Sequence, residues 1–469
     1  MKEFALILFA LVSFRVVGVG EVEARSAVRR LAKQKPVKPP RRDRPPRVKN
    51  PQVPVVVCPA VRRVDGSVDI MAAICEGRRQ LASFVSEPRY CTTVQKVRQC
   101  SQPPKPKRGR RRGSVQRQHV CKMVEVKKTR VCGATVGLAL LDPRTGVVTR
   151  VETDERGEDP ADHDIKINGP SRGVATEYVV RVPPGMLVVG LRRIVRSSRG
   201  GFAQATYVPA SEALLDRFPE LVGIGWRYLV GLFAHAEQTL QDAGVAYDRV
   251  PREVLMALVF VEHFSRPGMS LKEVPGEIRR VLGTFALNGP ETYRYAVSSA
   301  KARGVGQFMP STWGRLQRRY ATLLDEDFVK GSTNHRQMAV GMYLLTNADL
   351  DHLFRQNGWR GNAAHQQAHL QDWMVLGGYL AAAYNGGSPR AARWELGGRQ
   401  MGLLAAETRG YVPHFKMAWW YMATRRLASQ GIKPWVVLMC YQLQALGVTL
   451  PSWAPQPQCP EVLRCRWAE

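Results

Sequence analysis

The spacing of apolar residues along the chain changes once, near Ser211, and the change divides the sequence. Over residues 55–208 apolar and polar positions alternate in short runs. The segment ATVGLALLDPRTGVVTRVE sets two β-branched runs around Asp142-Pro143-Arg144-Thr145-Gly146, which predicts a hairpin. EYVVRVPPGMLVVGLRRIV repeats the pattern around Pro183-Pro184-Gly185. From Ser211 onward the apolar residues recur every three or four positions. SEALLDRFPELVGIGWRYLVGLFAHAEQTLQDAG reads as helix stopped by Gly244, and Pro251 occupies a first-turn position ahead of REVLMALVFVEHF. Helical spacing continues through WGRLQRRYATLL, QMAVGMYLLTNADLDHLFRQNG, LQDWMVLGGYLAAAYNGG and HFKMAWWYMATRRLASQG. The pattern predicts a multidomain chain: a β-rich accessory region over 55–210, an all-α domain over 211–430 and a C-terminal appendage over 431–469.

The start of the chain predicts export. Lys2, the apolar run Phe4–Phe14 and small residues near Gly18, Gly20 and Ala24 have the three parts of a secretory signal over residues 1–24. A short uncleaved anchor is the alternative, although the uncharged run is short for a bilayer span. No other uncharged segment is long enough to cross a membrane, so an exported chain of the periplasm or cell envelope is expected. Cysteine usage agrees. Six of the nine cysteines (Cys58, Cys75, Cys91, Cys100, Cys121, Cys132) fall in the β-rich region without a C-x-x-C pair, which in an exported chain reads as disulfides. Their pairing is not readable. Cys440, Cys459 and Cys465 form an odd group near the end.

Charge adds a partner class. The formal net charge is +30, and two tracts hold more than half of it. Residues 25–54 form a basic, Pro-rich linker with eleven Lys/Arg and one acid, and KPKRGRRRGSVQR at 105–117 carries seven basic residues and no acid. Such tracts are solvated spacers or attract anionic polymers of the envelope. Nucleic acid is not expected, since zinc-finger spacings and aromatics interleaved with the basic residues are both missing.

Candidate chemistry sits in the α domain. In LMALVFVEHF at 255–264, Leu255, Leu258, Val259 and Glu262 share one helical stripe. A carboxyl in apolar surroundings resists ionising and suits a general acid; a salt-bridged structural glutamate is the plainer alternative. SSAKARGVGQFMPSTW at 298–313 follows, with Gly304 and Gly306 for close backbone approach and Gln307 as amide donor and acceptor. LAAAYNGG at 380–387 ends a predicted helix with Tyr384 and Asn385, and ETRGYVPHF at 407–415 adds Tyr411.

Taken in order, these four motifs resemble the soluble lytic transglycosylases of the lysozyme superfamily (glycoside hydrolase family 23). The resemblance covers under half of the chain, the α domain alone. It implies a goose-type lysozyme-like fold for that domain, with Glu262 in the place of the catalytic acid. Ser298 and Gln307 match the family's Ser-x-x-Gly-x-x-Gly-Leu-x-Gln loop, and Tyr384, Asn385, Glu407 and Tyr411 match the later motifs. His263 stands where the family has Ser, and Val305 replaces the loop's Leu. The gap between Glu262 and Ser298 is longer than the family's, which makes Glu291, nearer the loop in sequence, a rival for the acid. Glu262 is preferred because it ends an apolar helix, whereas Glu291 sits in a Gly-Pro turn.

The implied substrate is the glycan strand of peptidoglycan, and the implied reaction is lysis of the bond between N-acetylmuramic acid and N-acetylglucosamine with 1,6-anhydro ring closure. One carboxyl serves as acid and then base, and Ser298, Gln307, Tyr384, Asn385 and Tyr411 orient it or bind sugar. No cofactor or metal is expected: His365 and His369 lie four apart, but HQQAH lacks the glutamate of the zinc-protease motif. Two alternatives stay open. A hydrolase on the same fold needs a second acid such as Asp325, Asp327, Asp349 or Asp351. A wall-binding scaffold with an idle catalytic domain needs none.

Overall fold

The computed structural model describes residues 58–63, 65–100, 121–154, 166–168, 179–196, 202–264, 269–356 and 373–429. The signal sequence, the linker 25–54, the basic tract 105–117, His365, His369 and the appendage 431–469 lie outside them.

The first region combines a helix with antiparallel strands. Helix α1 (Ile70–Leu81) is capped by Asp69, whose carboxylate accepts the amide hydrogens of Met71 and Ala72. Strands β1 (Pro88–Cys100), β2 (Cys121–Leu141), β3 (Val148–Asp154), β4 (Lys166–Asn168), β5 (Val179–Arg181), β6 (Leu187–Arg196) and β7 (Phe202–Tyr207) follow. The sheet runs β1-β2-β6-β7, with β3 also on β2. Strand β2 has two lives. Its first part pairs with β1 alone, Thr135–Leu141 pairs with β3, and Gly137–Leu141 pairs with β6 as well. That inner stretch is buried on both faces, so ATVGLALL is almost continuously apolar. Val136, Leu138 and Leu140 point to one core, and Ala139 and Leu141 to another beneath α1.

The hairpin expected at 142–146 joins β2 to β3, closed by Asp142 N–H to the Val147 carbonyl. The second expected repeat behaves differently. Strands flank Pro183-Pro184-Gly185, but β5 pairs with β4 and β6 with β2 and β7, so they do not pair with each other. Helix α1 departs from the β-rich expectation for 55–210, since the Asp69 cap starts it and Ile70, Ala73, Ile74 and Leu81 bury one face against the sheet. Cys58 and Cys75 form a disulfide that ties the chain before α1 to its middle, and Cys91 is also disulfide-bonded.

The second region is helical: α2 (Glu212–Arg217), α3 (Glu220–Asp242), α4 (Arg252–Glu262), α5 (Val274–Asn288), α6 (Pro310–Arg319), α7 (Phe328–Thr333), α8 (His335–Phe354), α9 (Trp373–Gly386), α10 (Ser388–Leu396) and α11 (Ala406–Ser429). The single long helix expected from Ser211 is broken at Phe218-Pro219, since a proline ends the first segment's ladder. The long gap between Glu262 and Ser298 supplies α5, which packs along α3 where Gly225 meets the Leu282 carbonyl.

Helix α4 is the centre of this region. Every residue from Val254 to Phe260 is buried, with α3, α5, α9 and α11 around it. A helix apolar all round is one that neighbours enclose. Among the described residues no helix is long and apolar enough to cross a membrane.

The two regions share a core. Leu214, Leu215, Phe218 and Leu221 join Ala286 and Leu287 in one cluster with α1 and the sheet. Buried Asn288 completes the seam, its amide oxygen accepting from Val208 N–H at 2.7 Å and its amide nitrogen donating to the Val208 carbonyl at 2.9 Å. Arg78 donates across it to the Leu287 carbonyl at 3.0 Å.

Candidate active site

Glu262 is the last residue of α4, where the helix leaves the core. Its Oε1 accepts a hydrogen bond from the Tyr411 hydroxyl at 2.8 Å, joining residues 149 apart in sequence. The side chain keeps partial access to solvent, yet its surroundings are mostly protein. Burial raises its pKa from the ordinary 4.5 to about 7; the Tyr411 hydrogen bond pulls the other way, and the Glu407 charge adds to the rise. A carboxyl tuned in this manner holds a proton near neutrality and can still take one back.

The loop at 297–308 faces this helix end. It doubles back on itself through bridges from Arg303 to Val297 and to Phe308. Gly304 and Gln307 both lie in the left-handed region, at φ +72° and +46°. A side chain at Gly304 would place its Cβ 1.9 Å from the Ser332 carbonyl oxygen, so the loop seats on α7 only because that residue is glycine. Gln307 donates its amide hydrogen to the Gly304 carbonyl at 2.9 Å. Ser298 holds the base of the loop, its hydroxyl accepting from Ala302 N–H at 3.0 Å.

The later motifs close the arrangement. Tyr384, near the end of α9, donates to the Gly306 carbonyl at 2.5 Å and so locks the loop from behind. Burial first, then the Glu262 charge, push the hydroxyls of Tyr384 and Tyr411 well above the usual tyrosine range, so both stay neutral donors. Asn385 accepts from the Thr408 hydroxyl at 2.7 Å, fastening the end of α9 to the first turn of α11. Tyr411 thus contacts Glu262 directly, and Tyr384 lies within range of the Glu262 charge. Ser298, Gln307 and Asn385 are engaged in shaping the walls and make no hydrogen bond to Glu262.

His263 is a further part of the site's frame. Its Nε2 lies 2.8 Å from the Val305 carbonyl, so that nitrogen carries the hydrogen, and its ring stacks on Tyr293 at 3.5 Å between centroids. Burial lowers its pKa to about 3, which keeps it neutral. Arg280 donates to the His263 carbonyl at 2.6 Å, holding the frayed end of α4. The helix bearing Glu262 and the Gly-rich loop are therefore tied together one residue beyond the acid. Thr408 is likewise part of the frame, buried beside Gly386. Its place within the Glu-Thr pair of the ETRGY stretch was the available signal.

Glu291 occupies a different setting. It lies in the turn Gly289–Glu291 and is bound by Arg294 at 2.6 and 2.8 Å. The four aspartates have other duties. Asp325 pairs with Lys330, Asp327 caps α7, and Asp351 pairs with Arg249 at 2.7 Å. Asp349 is buried and accepts from the Ser388 hydroxyl at 2.5 Å. Among the described residues no group of His, Cys, Asp and Glu could hold a metal ion.

No protein-family model matches the chain, and neither does any curated protein or solved structure.

Proposed function

We propose that the chain is a peptidoglycan lytic transglycosylase whose helical region is lysozyme-like and whose single acid–base residue is Glu262. The observation that carries the reading is a carboxyl raised to about 7 at the end of a buried helix, opposite a glycine loop and beside a neutral tyrosine. The order of the four motifs supports it from the sequence side. Disulfides at Cys58–Cys75 and Cys91 suit work outside the cytoplasm.

In this scheme protonated Glu262 gives its proton to the oxygen bridging N-acetylmuramic acid and N-acetylglucosamine, and that C–O bond breaks. The neighbouring acetamido group stabilises the developing cation. Glu262, now a carboxylate, takes the proton of the C6 hydroxyl as its oxygen bonds to C1, closing the 1,6-anhydro ring and regenerating the acid. The nucleophile belongs to the same sugar, so the attack is intramolecular and needs no second protein carboxylate. Tyr411 steadies the carboxylate form through its hydrogen bond.

One observation favours a second reading, a hydrolase. Glu407 is exposed and close enough for its charge to raise Glu262, which is what an acid activating water at this site would require. Mass analysis of peptidoglycan fragments from the purified chain decides between the two. Anhydromuramic ends support the transglycosylase, while reducing ends that vanish in Glu407→Gln support the hydrolase. Binding to wall without any release would leave only a scaffold.

A further inference from the structure

A second concavity shares no lining residue with the Glu262 site. It is an open cleft of about 880 Å³ between α3, the turn Gly289–Glu291, α7 and α8. Four cations line it: Arg227 from α3, Arg294 just after the turn, Lys330 from α7 and Arg336 from α8. The one acid in the lining, Glu291, is taken by Arg294, and Lys330 is paired with Asp325. Arg227 and Arg336 have no ion-pair partner among the described residues.

The floor beneath these arginines is rigid. His335 is buried with Nε2 2.7 Å from the Thr292 carbonyl, so that nitrogen carries the hydrogen and Nδ1 must accept from the Tyr228 hydroxyl at 2.8 Å. The Tyr228 ring stacks on Phe285 with centroids 5.7 Å apart. Asn334 accepts the backbone hydrogen of Arg336 at 3.0 Å. The backbone carrying Arg336 is therefore set before any ligand arrives, which lowers the ordering cost of binding.

We propose that this cleft binds a linear polyanion, a flexible chain carrying closely spaced phosphate or carboxylate groups. Two unpaired guanidinium groups in one groove match paired oxyanions, since the planar fork bonds such groups bidentately. The open shape suits an extended chain rather than an enclosed small molecule. Bases are not part of the match: Tyr228 is stacked on Phe285 with its hydroxyl committed, His335 is buried and bonded at both ring nitrogens, and the one exposed ring of the lining, His235, makes no stacking row. The site does not depend on the activity assigned to Glu262, so failure of either leaves the other standing.

The test is titration of the full-length chain with medium-length polyphosphate and, separately, with polyglutamate, followed by fluorescence anisotropy at moderate salt. Arg227→Ala/Arg336→Ala is compared with Arg318→Ala/Arg390→Ala, which removes the same charge from exposed positions on α6 and α10. Melting temperatures of both variants verify folding, and Arg227→Gln/Arg336→Gln serves if the alanine pair is damaged. The cleft pair is expected to weaken binding about tenfold and the control under about twofold. A loss confined to one polymer names the anion. Equal losses in both variants, or none, would overturn the proposal, as would preferential loss of a single-stranded oligonucleotide.

Discussion

Two glutamates precede the glycine loop in sequence, and the regions that hold them are opposites. Glu262 closes a helix buried on every side, accepts from a tyrosine 149 residues away and has its pKa raised to about 7. Glu291 sits in a single 3₁₀ turn, partly exposed, and is clamped by an arginine three residues on. Glu291 is nearer the loop along the chain, but proximity in sequence does not make an acid. What differs is the setting of the carboxyl: Glu262 is desolvated beside a neutral hydroxyl, and Glu291 is ion-paired with a guanidinium.

The comparison breaks most directly by exchanging the two. Glu262→Gln is expected to lower glycan release by about a thousandfold, within the range for removing a general acid, with the far-ultraviolet circular dichroism unchanged. Release by Glu291→Gln should stay within about twofold. If the large loss falls on Glu291 instead, the acid has been misassigned.

The loop that faces Glu262 gives the next largest effect. Gly304→Ala must push its Cβ into the Ser332 carbonyl and strain a φ of +72°, so about 3 kcal/mol of stability should be lost. Gly276→Ala, at an open position on α5, should change the urea midpoint little by comparison.

A smaller effect tests the tuning. The Tyr411 hydroxyl favours ionised Glu262, so Tyr411→Phe raises the glutamate's pKa further above about 7. The proposed reaction needs Glu262 protonated, so activity should fall as pH rises through that pKa. The falling limb of the pH–rate profile should therefore move to higher pH in the variant. An unmoved limb would mean that another group sets it.

The same shift predicts a stability trend. A carboxyl whose folded pKa lies above its unfolded value near 4.5 stabilises the fold fully below 4.5 and loses that contribution as pH rises through about 7. Glu262→Gln cannot ionise. Its melting temperature relative to the parent chain should rise between pH 4.5 and pH 8, and a flat difference would show that the carboxyl is not buried in solution.

Much of the frame was legible in the residues. The change of spacing near Ser211 marks where strands give way to helices, and the runs either side of residues 142–146 show the hairpin of β2 and β3. The apolar stripe of 255–264 places a carboxyl at the end of a core helix, since periodicity reports local geometry. Glycines at 304 and 306 announce close backbone approach because only glycine leaves that space.

Other features depended on contacts that spacing does not carry. No period shows that β5 joins β4 rather than β6, or that Asn385 fastens to Thr408 instead of facing outward. The aspartates at 325, 327, 349 and 351 look alike in the sequence; their neighbours in space gave each a different bond. His263 reads as a mere substitution until its ring is seen tying α4 to Val305. The chain's own order of apolar and polar residues determined the helical region after Ser211, the hairpin at 142–146 and where the carboxyls stand along the chain. Only the tertiary structure decided that Glu262 is desolvated and bonded to Tyr411 while Glu291 is ion-paired, because desolvation and long-range hydrogen bonds arise when distant segments meet.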